Sequence, residues 1–122
     1  MNLFDAHNAE RVKRGKTPLV VSPLLTIAAQ KHAEWMVENG MSHTGEGGSR
    51  PWDRAEKEGY DYSSIGENVA VGQKSVEQVM KAWMTSAGHK ANILGKFQEI
   101  GIGIATNENG SKYWAVVFGT PR

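Results

Sequence analysis

The chain has 122 residues, no cysteine, and a formal net charge of +1 from 14 Lys/Arg set against 13 Asp/Glu. That length suits one domain, residues 1–122, with a single core that needs no metal or disulfide support, and the missing thiols exclude a disulfide framework and a thiolate zinc knuckle. The basic residues are scattered along the chain rather than concentrated, which argues against nucleic acid as a partner, and no apolar run approaches the ~20 residues of a membrane span.

Met1-Asn2-Leu3-Phe4-Asp5 leads straight into an amphipathic pattern with no signal peptide before it, as expected of a cytoplasmic protein or of a mature chain whose targeting segment is gone. Leu3 to Arg14 reads as a helix, with Leu3, Ala6, His7 and Val12 at helical spacing and Gly15 as its stop. After a connector over 16–21, Ser22-Pro23 supplies an N-cap and a proline at the first helical position. Leu24, Ile27, Ala28, Lys31, Trp35 and Met36 then form a stripe that ends at Asn39-Gly40. Residues 41–50, rich in Ser, Thr and Gly, form a loop. Pro51 to Glu58 is a short helix capped by Ser49 and stopped by Gly59, and Ile65 to Val71 is strand-like. Ser75 opens a third long helix with an apolar face of Val76, Val79, Met80 and Trp83. Ala91 to Leu94 is a single helical turn.

The C-terminal part changes period. Ile100, Ile102 and Ile104 alternate with Gly101, Gly103 and Ala105, and Tyr113 to Phe118 is a second β-rich run beyond the hairpin signal Asn109-Gly110. Helices first and a hairpin last indicate an α+β domain in which helices cover a small antiparallel sheet. No internal repeat or low-complexity tract is present.

Three polar residues stand out. His43 lies in Met41-Ser42-His43-Thr44-Gly45, Glu67 in Gly66-Glu67-Asn68-Val69-Ala70, and His89 in Ser86-Ala87-Gly88-His89-Lys90. All three fall where the helical pattern stops and so are placed on connecting segments, where functional residues collect. Imidazole and carboxylate hold divalent metals and move protons near neutral pH. Two converging histidines would take a cation such as zinc, with Glu67 as third ligand or base. Each residue also has an ordinary explanation: a solvated loop histidine, a strand-entry acid, and a cation at a helix C-terminus. Neither a His-Glu-x-x-His helix nor a Gly-x-Ser-x-Gly elbow is present, although Ser86 sits three residues before His89 as a candidate nucleophile with Glu67 as its orienter. His7 and His32 are read as core histidines. Asn8 and Arg11 share a helix face from which they can satisfy loop carbonyls. Trp35, Trp83 and Trp114 belong to the core or cleft wall, and Trp52 is placed to line an exposed groove.

Taken in order, His7-Asn8-x-x-Arg11, Ser42-His43-Thr44, Gly66-Glu67-Asn68, Trp83-x-x-Ser86-x-Gly88-His89-x-x-Asn92-Ile93-Leu94, Glu99-Ile100-Gly101-x-Gly103 and Tyr113-Trp114-x-x-x-Phe118-Gly119 resemble the motifs of CAP-superfamily (SCP/PR-1-like) domains, nearest to the short cysteine-free bacterial branch. The resemblance implies a three-layer α-β-α sandwich, a mostly extracellular or cell-envelope setting, and a central cleft with two histidines and two acids. His43 and His89 match the cleft histidines and Glu67 matches one acid, with Asn68 and Asn92 as further cleft-lining residues. Ser86 stands where the second acid belongs, which weakens a metal site and removes one base; Glu99 is a candidate replacement. The expected role is a secreted, monomeric binding protein whose His/Glu cluster holds an optional zinc and whose groove takes a small ligand, a lipid or a protein partner. The alternatives are a zinc-assisted hydrolase with Glu67 as general base and a Ser86–His89 hydrolase.

Overall fold

A computed structural model describes residues 1–122. In chain order the elements are α1 (Leu3–Lys13), β1 (Val20–Val21), α2 (Pro23–Asn39), a 3-10 turn (Glu46–Gly48), α3 (Pro51–Lys57), β2 (Tyr62–Val71), α4 (Val76–Met84), α5 (Ala87–Ile93), β3 (Glu99–Thr106) and β4 (Lys112–Pro121). The strands form one sheet in the order β1-β3-β4-β2. The β3–β4 hairpin and the β4–β2 pair are antiparallel, as expected. Val20-Val21, expected only as a connector, pairs in parallel with Glu99 and Ile100, so the sheet is mixed rather than purely antiparallel.

The period-2 alternation of β4 divides the core into two layers. Trp114, Val116 and Phe118 face α1, α4 and α5, where they meet Leu3, Val79, Met80, Trp83 and Ile93. Ala115 and Val117 face the other way, onto Leu25, Ala29, Ala33 and Met36 of α2. Helices on both faces complete the three-layer α-β-α sandwich.

Alpha2 lies directly on β3 because Gly101 and Gly103 have no side chain. A Cβ at Gly101 would overlap the backbone of Leu25 and Thr26, and one at Gly103 the backbone of Ala29 and Gln30. This contact also sets the rotation of α2. The buried row is Leu25, Ala28, Ala29, His32, Ala33 and Met36, whereas Leu24, Ile27 and Lys31 of the expected stripe are exposed. The stripe is rotated because small residues must face the glycines. On α1 the buried row is Leu3, His7 and Arg11, with Val12 in solvent.

The helix starts follow the sequence at Ser22 and Ser75, whose Oγ atoms accept from the N–H groups of Leu25 and Gln78. Alpha3 differs: its N-cap is Arg50, and the Asp53 carboxylate accepts from the Arg50 N–H at 2.9 Å, leaving Ser49 outside the helix.

Asn8 and Arg11 do satisfy loop backbone. The Asn8 amide pairs with both the N–H and C=O of Leu19, and Arg11 donates to the carbonyls of Thr17, Ile93, Gly95 and Phe97. One guanidinium thus ties α1 to the segment between α5 and β3. His7 is fully buried beside Trp83 and Phe118, with Nδ1–H donating to the Leu3 carbonyl and Nε2 unpartnered. Burial pulls its pKa down to about 4.

Gly103→Ala is expected to cost about 3 kcal/mol or more in urea unfolding, whereas Gly88→Ala, where a Cβ meets nothing, is expected to be neutral or stabilising by up to about 1 kcal/mol; equal effects would contradict the helix-on-glycine contact. For His7, the unfolded chain gains a proton below pH 6.5 that the folded chain refuses until about pH 4. Its contribution to stability is therefore complete above pH 6.5 and falls by about 3 kcal/mol as pH drops through that window. His7→Gln should show a correspondingly smaller loss between neutral and acid pH, and an undiminished loss would contradict the assignment.

Candidate functional site

Glu67 and Asn68 are consecutive on β2, so their side chains leave opposite faces of the sheet. Glu67 points toward α2 and α3, and its side chain is only 1% exposed. A carboxylate so deeply placed needs a charged partner and filled hydrogen-bond positions. Arg54 of α3 donates from Nη2 to Oε2 at 2.7 Å, and His43 donates from Nδ1 to Oε1 at 3.0 Å. Arg54 is itself fixed by donating from Nη1 to the Ser49 carbonyl at 2.7 Å. His43, half exposed, has its pKa raised above 6.5, chiefly by the hydrogen bond to Glu67.

The loop bearing His43 is held from beneath by His32. The buried His32 ring donates from Nε2 to the Ser42 carbonyl at 2.6 Å, and Ser42 Oγ accepts from the Thr44 N–H. His32 is thus the core histidine that the sequence suggests and also a positioning residue for His43. Burial lowers its pKa and keeps the ring neutral.

His89 approaches from the other face of β2. Asn68, fully buried, donates from Nδ2 to the His89 carbonyl at 3.0 Å, while Asn92 Nδ2 donates to Asn68 Oδ1 and to the Glu67 carbonyl. These two asparagines anchor α5 to the edge of β2. Asn68 therefore works inside the wall and does not line a cavity. His89 Nδ1 meets Ser86 Oγ at 2.8 Å. Burial lowers the His89 pKa, and the charge of His43 lowers it further, so the two imidazoles feel each other across the strand edge.

The His43–Glu67 pair and the His89–Ser86 pair thus stand on the two faces of β2, and of the three residues expected on connecting segments only His43 sits on a loop. Glu67 lies within β2 and His89 within α5. Glu99 does not replace the acid missing at Ser86; it accepts from the Tyr60 hydroxyl at 2.8 Å. Trp52 is exposed, and Trp83 and Trp114 are buried.

A resident zinc does not fit these residues. No group of three or more His, Cys, Asp or Glu side chains is arranged to hold a metal ion. The Glu67 side chain is 1% exposed, a guanidinium beside the carboxylate opposes a dication, and Ser86 brings no charge. In this geometry Glu67 is an anion that organises the wall between His43 and Arg54. Arg54 is the functional residue that the sequence reading missed. Its signal was the need of a carboxylate inside an apolar strand for a cation nearby.

Beside His89 a groove of about 230 Å³ opens between β2, α4 and the 41–44 loop. Its walls include Met41, Val69, Val71 and Trp83, with Ser86 and His89 at one side. Gln73 also lines it, with Oε1 buried and unpartnered.

Comparison with known proteins agrees with this architecture. The model of the Cysteine-rich secretory protein family, CAP, matches residues 4–118. An uncharacterized Bacillus subtilis protein, YkwD, is 41% identical over 106 residues, covering 85% of this chain and 40% of its own length. The chain thus spans well under half of that relative. An outer surface protein from Borrelia burgdorferi superposes with a TM-score of 0.90 at 25% identity, covering 98% of this chain and 90% of that one. An extracellular protein containing an SCP domain, from Bacillus anthracis, superposes with a TM-score of 0.86 at 22% identity, covering 97% of this chain and 39% of that one. With the family motifs and the sandwich in place, the chain belongs to the CAP family as a cysteine-free SCP-type domain.

Proposed function

We propose that this CAP domain is an extracellular or cell-surface binding module whose groove beside His89 takes a short aliphatic segment carrying a hydroxyl or amide donor. The observation that carries this is the groove itself. Its walls are apolar and its one buried orphan group is an acceptor, Gln73 Oε1, which costs free energy until a donor meets it. Small-ligand sites combine apolar walls with a few placed polar groups in this way. The setting is supported by relatives described as an outer surface protein and an extracellular protein; no helix is long and apolar enough to cross a membrane.

Binding is favoured over hydrolysis by the state of Glu67. A general base must lie within reach of the water it deprotonates, and the Glu67 side chain is 1% exposed and held in an ion pair with Arg54. The Ser86–His89 contact has nucleophile–base distance, but the carboxylate that would orient the imidazole is committed to His43 instead.

Titration with 1-hexanol and with an N-acetylated dipeptide amide, followed by NMR, is expected to give saturable shifts at Val71, Gln73 and His89. Val71→Lys, at a partly exposed wall position, is expected to weaken them about tenfold. Turnover of a short-chain nitrophenyl ester that disappears in Ser86→Ala would overturn the proposal in favour of a hydrolase, and absence of saturable shifts would overturn the groove.

A further inference from the structure

A larger concavity lies on the far side of Arg54. It measures about 390 Å³ and is enclosed by α2, the 3-10 turn and α3, within the range of small-molecule sites. Trp35 and His32 contribute an aromatic wall in which the two rings stack, 11° from parallel with centroids 5.7 Å apart. Around it, the cations Lys31, Arg54 and Lys57 are matched by the carboxylates Glu46, Asp53 and Glu58. Two of the cations are already paired, Lys31 with Glu58 at 2.8 Å and Arg54 with the buried Glu67 at 2.7 Å. The mixture of signs gives little field to select an ionic ligand, while supplying donors and acceptors around the rim.

His32 adds an observation of another kind. Its Nε2–H is spent on the Ser42 carbonyl, which leaves Nδ1 as a bare acceptor, and no group of the protein donates to it. Gly45 lies over this nitrogen, where a Cβ would come within 3.0 Å; glycine keeps a side chain off it. A buried acceptor without a donor is uncommon in folded proteins.

We propose that this concavity is a second ligand site, separate from the groove beside His89, and that it takes an uncharged polyol of monosaccharide size. The carbon-bound hydrogens of a pyranose ring pack on the Trp35 indole. Its hydroxyls donate to the carboxylates and accept from the lysines. A charged anion or cation would meet a like charge on the same rim, and a purely apolar ligand would desolvate the rim charges without replacing their hydrogen bonds.

The test is an NMR titration of the whole chain with methyl glucoside and with N-acetylglucosamine, and in parallel with leucine as a zwitterion of similar size. Saturable shifts are expected with at least one sugar at the Trp35 indole N–H, Gly47 and Ser49, without matching shifts at Gln73 or Val71. Glu46→Ala and Lys57→Ala, both at exposed positions, are each expected to weaken sugar binding on the order of tenfold, and Trp35→Leu to abolish it. The proposal is overturned if neither sugar gives saturable shifts, if leucine binds more tightly than both sugars, or if binding survives Trp35→Leu and both rim variants unchanged. Because the reporters differ, failure here is distinguishable from failure of the groove beside His89.

Discussion

The buried ion pair between Glu67 and Arg54 is the constraint on which the cleft depends. A carboxylate with 1% of its side chain exposed is tolerable only while its charge is met at close range. Meeting it draws α3 against β2, fixes the 3-10 turn through the Ser49 carbonyl, and leaves one oxygen to capture His43 from the loop after α2. What remains exposed is the outer face of His43, the His89–Ser86 pair and the apolar groove beside them.

A second device recurs around the sheet. Side-chain amides stand in for missing backbone partners, which keeps strand edges from pairing with other chains. Gln30 bonds both the N–H and C=O of Ile104 where β1 is too short to cover β3. On the opposite edge, Asn92 covers the Glu67 carbonyl and the Trp83 indole covers that of Val69. Asn8 does the same for Leu19. At the functional edge, the groups that block strand addition are also those that attach α4 and α5 to β2.

Much of this was legible in the sequence because it is local. Ser22-Pro23 and Ser75 mark helix starts by capping chemistry, and Asn109-Gly110 marks the hairpin. Gly101 and Gly103 alternate with isoleucines because one face of β3 must be bare. What was not legible depends on partners distant in the chain. Leu24 and Leu25 are equivalent to a pattern search, and only contact with the glycines of β3 decides which is buried. Alpha5 carries a single buried residue, Ile93, so it has no stripe to announce it, and His89 looked like a loop residue. Arg54 sits among Asp53, Glu56 and Lys57 and reads as one more solvated charge. Its role appears once β2 brings Glu67 beside it.

A double-mutant cycle between Arg54 and Glu67 tests the central claim most directly. Unfolding free energies would be measured for Arg54→Met, Glu67→Leu and the double variant. Each single change is expected to cost about 3–5 kcal/mol by stranding a buried charge or collapsing the wall, and the double variant about 2 kcal/mol or more below their sum. Additivity within about 0.5 kcal/mol would contradict the account, because Glu67 would then be an ordinary carboxylate and not the anion that organises the cleft.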